Sequence, residues 1–412
     1  MTQQAAASPV DGQADDTSVD GLKIGVAGFG MRAGLWKYAH RPDDQQLPSR
    51  VTAVCDPSER GQADARAALP DAEITADLDR LLGSGIDAIL VTTPDDQHFP
   101  VAMRALQAGV AVFCEKPLAI TIEDCDTLLR TAYATGTRLY VGHNMRHMPV
   151  VRQMREIIAS GRIGEVQAIW CRHFVGNGGD FYFKDWHADR SRSTGLLLQK
   201  GAHDLDVIHW LAGGYSSTVS AMGELKVYGA IDDHADHSGE RMWDWYDLAN
   251  WPPTEQRGLN PVVDVEDISM MQMRLDNGVL ASYQQCHFTP DYWRNYTVIG
   301  NRGRIENFGD GPGDVIGIWD TRHEGYAEPD EKVIIAEGVA GGSHGGADPR
   351  LIEEFLGFVA HGGRTDTSPI AARQAVAAGC VATDSLRSDS SARPVPPLDP
   401  ELIDYFKNGQ QR

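Results

Sequence analysis

Three side chains able to move protons or bind hydroxyl groups crowd one short stretch, TGLLLQKGAHDLDVIHWLAG, running from Thr194 to Gly213. Gln199, Lys200 and His203 fall on roughly one side of it, while Leu205, Ile208 and Leu211 carry an apolar stripe onward. A helix returns to nearly the same face after three and four residues, so Gln199 and Lys200 can both approach His203. Histidine exchanges a proton near neutral pH, lysine brings a cation, and glutamine offers amide hydrogen bonds without ionising. Two structural readings stand beside that chemistry. Lys200 can pair with Asp204 at i,i+4, and His203 can be a hydrogen-bonded core histidine.

A second group lies near the start of the chain. LKIGVAGFG reads as a short apolar strand ending in glycines, and Gly28-x-Gly30-x-x-Ala33 fits the dinucleotide fingerprint with alanine in its third place. The first glycine makes the tight turn and the second lets the main chain approach a pyrophosphate. The third small residue lets helix and strand pack closely. A second strand, RVTAVCD, ends at Asp56, roughly twenty residues beyond the glycines. A carboxylate there holds ribose hydroxyls and repels a 2′-phosphate, so Asp56 favours NAD; the nearby Arg60 leaves NADP open.

These residues need a scaffold, and the pattern between them supplies one. A helix over Ser58–Ala68 precedes the buried strand IDAILVTTP; the helix FPVAMRALQAG precedes VAVFCEKP, and a further helix precedes RLYVGHN. Strands and helices alternating at this spacing imply a doubly wound parallel α/β sheet. Ligands of such sheets lie beyond the carboxyl ends of the strands. Those ends carry Gly28, Asp56, Thr92-Thr93-Pro94, Glu115-Lys116-Pro117 and His143-Asn144.

CEKPLA (Cys114–Ala119), TTPDDQH (Thr92–His98), VGHNMRHMP (Val141–Pro149) and the opening glycine stretch resemble the glucose–fructose oxidoreductase/inositol dehydrogenase (Gfo/Idh/MocA) family. The resemblance implies a Rossmann domain followed by an α/β domain with a large, mostly antiparallel open sheet. One face of that sheet would cover the active site and the other would build a homodimer or homotetramer. The implied chemistry is NAD(P)-dependent oxidation or reduction at a carbinol of a sugar, inositol or related polyol. Gly28, Phe29, Gly30, Met31, Arg32, Asp56, Thr92, Thr93, Pro94, His98, Glu115, Lys116 and Asn144 would meet the cofactor. Lys116 would stand by the nicotinamide and the reacting hydroxyl, its pKa lowered by the cofactor's positive charge. His203 matches the family's histidine. The carboxylate usual four residues earlier is replaced by Gln199, with Lys200 after it. The resemblance therefore makes Lys116, His203 and Lys200 the catalytic set. It adds Trp186 and His187 from the loop VGNGGDFYFKDWHADRSRSTG, where many members have arginine in place of His187. With Gln199 and with His344 of GVAGGSHGGADPRLIEEFLGFV, these residues would contact substrate. The altered pair at 199–200 keeps open a lyase or glycosidase using transient oxidation by NAD, and a non-catalytic NAD-binding sensor.

The rest of the chain frames this site. ISMMQMRLDNGVLASYQQCHF and YTVIGNRGRIENF read as hairpins about Asp276-Asn277-Gly278 and Asn301-Arg302-Gly303. Asp348 and Pro349 suggest the N-cap and first turn of a helix, and IAARQAVAAGCVATDSL a closing amphipathic helix before the surface tail begun by ARPVPPLDP. The expected divisions are a disordered tail at 1–21, a nucleotide domain at 22–145, a substrate and oligomerisation domain at 146–395 and a tail at 396–412. The second domain is interrupted near 228–261 by DDHADH and the tryptophan-rich RMWDWYDLANW. Asp233, His234, Asp236 and His237 match no strong metal motif, so no metal is expected. The 412 residues carry 37 basic and 58 acidic side chains, a net charge of −21. That balance argues against nucleic acid and anionic membrane as partners. Six scattered cysteines without C-x-x-C spacing, no signal-peptide pattern and no membrane-length apolar run suit a cytoplasmic protein.

Overall fold

The computed structural model describes residues 21–337 and 345–411. His344 and nearly all of the expected N-terminal tail therefore lie outside the described residues. Strands β1 (Leu22–Ala27), β2 (Ser49–Cys55), β3 (Glu73–Thr75), β4 (Ala88–Val91), β5 (Ala111–Glu115) and β6 (Leu139–Gly142) form a six-stranded sheet in the order β3-β2-β1-β4-β5-β6. Every neighbouring pair is parallel. Its connecting helices include α1 (Glu59–Ala68), α2 (His98–Gln107) and α3 (Ile122–Thr135). β4 and β5 are buried along their whole length, as strands covered on both faces must be. The strand order reverses at β1 and β4, which brings the turn after Gly28 beside Thr92 and Thr93.

After α4 (Pro149–Ala159), the chain lays down β7 (Val166–Phe174), helix α5 (Gly201–Ala212), β8 (Ser216–Glu224), β9 (Ile268–Leu275) and β10 (Leu280–Cys286). Then follow β11 (Trp293–Gly300), β12 (Arg304–Phe308), β13 (Val315–Trp319) and β14 (Glu331–Ile334), helices α6 (Ala347–His361) and α7 (Pro369–Leu386), and the two-residue β15 (Arg393–Pro394). These strands make a nine-stranded sheet, β14-β13-β12-β11-β7-β10-β9-β8-β15, antiparallel except where β7 meets β10. Both expected hairpins are present, β9 with β10 and β11 with β12. Alternation sends Ile169, Cys171, Met271, Met273 and Tyr283 into the core beneath α5 and α7, leaving Trp170, Met270 and Leu280 exposed on the far face.

Three expectations change. Helix α7 is not amphipathic but buried on nearly every side. Its Ala375, Ala378 and Val381 pack with the second sheet while Ile370, Ala372 and Val376 pack with the first, so it is a wedge between the two units. The final segment is not a surface tail. β15 pairs with β8, and helix α8 (Pro400–Lys407) buries Leu402, Tyr405 and Phe406 against the first domain, with Tyr405 edge-on to Tyr133 of α3 at 5.0 Å. Apolar residues at i, i+3 and i+4 give that short helix a face to bury. Nor does Asp348 cap α6. Gly346, in a left-handed conformation, precedes the helix, and the Asp348 carboxylate instead accepts hydrogen bonds from Arg32 and Asn144.

Two further segments position the site. The loop at 175–195 is folded into short turns at Gly178–Tyr182, Trp186–Ala188 and Arg190–Ser193. Asp185 and Asp189 cap the last two by accepting main-chain N–H groups. The stretch from Thr194 to Gly213 is two helical pieces, Leu196–Gln199 and α5, with Lys200 at the joint.

Candidate active site

The first wall of the site is the rim of the parallel sheet. Gly28 adopts φ +83°, and a Cβ there would stand 2.8 Å from the main chain of Thr93, so only glycine fits this turn. Asp56, buried at the end of β2, accepts the Phe29 N–H at 2.6 Å through one oxygen, and the Ser58 N–H and hydroxyl at 2.8 and 2.6 Å through the other. Gly61 gives the carboxylate room, since a Cβ would fall 2.2 Å from its carbon. Thr92 donates its hydroxyl to the Gly28 carbonyl at 2.6 Å, and the buried Thr93 hydroxyl has no partner among the described residues. An open glycine turn, a carboxylate one strand away and an unsatisfied hydroxyl facing the same rim fit a dinucleotide.

Other predicted cofactor residues brace this rim. Arg32 reaches Glu115 at 2.6 Å and Asp348 at 3.0 Å, tying the glycine loop to β5 and α6. The Asn144 amide donates to Asp348 at 2.9 Å. His98 is buried with one ring nitrogen 2.6 Å from the Pro117 carbonyl and the other 3.0 Å from that of Thr93, fastening the turn after Lys116 to the end of β4. Gly30 caps the 3-10 turn beginning at Met31, whose side chain is exposed, and Pro94 precedes the turn at 95–97.

The second wall faces this rim from the other domain. Lys116, half-buried after β5, donates from Nζ to the Gln199 carbonyl at 2.9 Å, so the two sequence-predicted clusters meet across the domain boundary. Burial pushes the Lys116 ammonium below the usual lysine range, against the opposing pull of Asp95 and Glu115. Gln199 is buried and its Oε1 has no partner among the described residues. The Lys200 Nζ lies 5.5 Å from the centre of the Tyr182 ring. Burial, together with repulsion from Arg294 and Lys116, drives its pKa well down. His203 is buried on α5, one turn beyond Gln199. His187 pairs with Asp185 and stacks on Trp186 with ring centroids 3.7 Å apart, and Arg192 lies over the Trp186 ring.

Asp204 does not pair with Lys200. It is fully buried and instead meets Arg294 at 3.1 Å, His173 at 3.1 Å, the Tyr283 hydroxyl at 3.0 Å and the Tyr296 hydroxyl. Burial alone would raise this carboxyl; Arg294 and His173 outweigh it and hold the group below the usual carboxylate range. Two residues on, and so on the opposite side of the helix, Asp206 takes a bidentate pair from Arg146 at 2.7 and 2.6 Å. Together these pairs set the rotation of α5 and the direction in which His203 leaves it.

Sequence reasoning missed several of these groups. Asp95, buried beside Lys116 and His187, stands in the quoted TTPDDQH, and its position after a sheet strand was the available signal. Arg294, Tyr283 and Tyr296 lie on strands β10 and β11, where nothing in the local pattern announces a charge hub. The histidines of the 228–261 insertion bond within it: His234 faces the Asn260 carbonyl, and His237 sits between Glu240 and the Gly258 carbonyl.

Comparison with known proteins finds matches in both parts of the chain. Residues 22–143 match the model of the oxidoreductase family with an NAD-binding Rossmann fold, and residues 151–306 match the GFO/IDH/MocA C-terminal domain. Among curated relatives, a 2,7-anhydro-N-acetylneuraminate hydratase of Mediterraneibacter gnavus is 31% identical over 56% of this chain and 62% of its own length. Inositol 2-dehydrogenase of Burkholderia multivorans is 36% identical over 47% of this chain and 55% of its own length. The chain thus aligns with less than two thirds of either relative. The solved structure of a levoglucosan dehydrogenase with NADH and levoglucosan superposes with a TM-score of 0.73, covering 92% of this chain and all of the other at 19% identity. At that identity the likeness speaks for the fold.

Proposed function

The chain belongs to the Gfo/Idh/MocA family, with an NAD-binding Rossmann domain, and on that premise we propose that it is an NAD-dependent dehydrogenase of a secondary alcohol in a sugar, inositol or glycoside. The observation that carries this reading is the 2.9 Å hydrogen bond from Lys116 to Gln199, which joins the strand-end lysine to the segment bearing His203. Bound NAD supplies the hydride acceptor. Lys116 hydrogen-bonds the reacting oxygen, and its lowered pKa lets the amine share the alcohol's proton. His203 takes that proton up. The free Oε1 of Gln199 and the side-chain nitrogen of Lys200 meet neighbouring hydroxyls, with Trp186 and His187 closing the nicotinamide end. Asp56 selects NAD over NADP by repelling a 2′-phosphate.

The protein acts, on this reading, as a homodimer or homotetramer in the cytoplasm. Trp170, Met222, Met270 and Leu280, all on the outer side of the second sheet, are about half exposed or more, the kind of apolar patch that a second copy covers. All six cysteines are free thiols, as a reducing compartment would keep them. No helix among the described residues is long and apolar enough to cross a membrane.

The test is a panel of sugars, inositols and glycosides incubated with NAD, following NADH absorbance and product mass together. The proposal expects NADH equimolar with a ketone product from at least one class. A bond cleaved with no net NADH, or no turnover on any class, overturns it.

A further inference from the structure

The insertion at 228–261 does more than interrupt the sheet. Its residues 239–245 cross to the first domain and fasten onto the two elements that cradle the dinucleotide. Arg241 donates from Nη2 to the Phe29 carbonyl at 2.8 Å and lies 3.0 Å from Asp64 on α1. Its Nη1 stands 3.3 Å from the point where a Cβ on Gly30 would sit. Arg60 of α1 returns the contact, donating to the Gly239 carbonyl at 3.1 Å and pairing with Asp244 at 2.7 Å. Asp244 also accepts the Arg241 N–H at 2.7 Å, which locks the turn that presents the guanidinium.

The other end of the same segment is tied to the substrate side. The Trp245 indole N–H donates to the Asp180 carbonyl at 2.9 Å, and the Asn250 amide to the Asp180 carboxylate at 2.8 Å. Tyr246 stacks on Phe181 at 5.6 Å. That loop also carries Tyr182, the ring beneath Lys200.

We propose that residues 239–245 form a clasp over the phosphate-binding turn, with Arg241 a further cofactor-binding side chain delivered by the second domain to the dinucleotide's pyrophosphate. The glycine turn itself offers only N–H groups, and two other nearby cations are already paired, Arg32 with Glu115 and Asp348 and Arg60 with Asp244. Among the described residues Arg241 forms a carboxylate ion pair with the half-exposed Asp64, a contact that solvent screens and a phosphate can replace. Each surface link is weak alone. Several along one short segment make its docking a single event, so a dinucleotide enters and leaves when the segment lifts. The inference rests on the NAD-binding domain and is independent of which alcohol reacts.

The experiment measures ADP-ribose affinity by calorimetry and NADH release by stopped-flow fluorescence in the full chain. Arg241→Ala is expected to weaken ADP-ribose by about tenfold or more, the scale of a lost charge-assisted hydrogen bond, and to speed NADH release. Binding of adenosine, which lacks the phosphates, stays unchanged. Arg60→Ala, which opens the clasp while sparing Arg241, should raise NADH association and release rates together. Arg241→Gln preserves a donor to Phe29 without the charge, and guards against simple loss of the turn. ADP-ribose affinity within about twofold of the parent in both Arg241 variants, or unaltered NADH rates in Arg60→Ala, would show the segment to be domain packing only and overturn the proposal.

Discussion

The two walls of the site handle their polar groups in opposite ways. On the nucleotide side, Asp56 accepts three donors, Arg32 has two carboxylates and both nitrogens of His98 face carbonyls. On the substrate side, Lys200 has an aromatic face, Lys116 a single carbonyl, and the Gln199 oxygen nothing among the described residues. A buried polar group without a partner costs stability, about 1–3 kcal/mol for a neutral one and more for a charge. Apart from the Thr93 hydroxyl on the nucleotide side, the unmet contacts of these residues fall on the substrate side and are left for a ligand to complete. The first wall is a finished frame for one constant ligand; the second is completed by the substrate.

The largest effect that would break this comparison is at Lys116. Lys116→Ala should lower kcat by about 10²–10⁴-fold, the range for a positioned proton-transfer group, while NADH affinity measured by fluorescence changes little. Equal losses in both would place Lys116 in the constant frame instead. Next comes the support behind the substrate wall. Arg294→Met strands the buried Asp204 carboxylate and should cost about 3–5 kcal/mol of unfolding free energy in urea titrations. The double variant with Asp204→Asn should recover part of that loss.

A buried neutral histidine under the same wall gives a smaller, pH-dependent effect. His209 on α5 is pushed down to about 4 by burial, and its Nε2 accepts the Ser216 N–H at 3.2 Å. Between about 4 and the ordinary value near 6.5, the unfolded chain binds the proton and the folded chain does not, so stability falls as pH drops through that window. Thermal melts should therefore show a smaller loss between neutral pH and about pH 5 in His209→Asn than in the parent. The smallest change tests the nucleotide frame. Asp56→Ser should narrow the NAD-over-NADP preference by about tenfold, the scale of one removed like-charge repulsion, with kcat on NAD nearly unchanged.

How much of this was readable beforehand divides along the same line. What the parallel sheet carries is local: one glycine turn, one carboxylate a strand later and, where the sheet meets the substrate wall, one lysine at a strand end, each reporting its own place. Gly28, Asp56 and Lys116 were therefore legible together with the sheet that holds them. The substrate wall is assembled from afar. Asp204 read as an i,i+4 partner for Lys200, because helix spacing is all a local pattern offers; its actual partner, Arg294, arrives from a strand ninety positions on. The burial of α7 escaped for a related reason, since its alanine-rich faces meet two different sheets. Leu402, Tyr405 and Phe406 did carry a helical signal, but the prolines before them suggested a chain leaving the fold.

The central claim, direct hydride transfer from a carbinol beside Lys116, is tested most directly with an alcohol carrying deuterium on its carbinol carbon. Turnover with NAD followed by mass spectrometry of the recovered cofactor should find the deuterium on the nicotinamide ring, one per ketone formed. Deuterium found only in solvent or retained in the product, with unlabelled cofactor, would contradict the account.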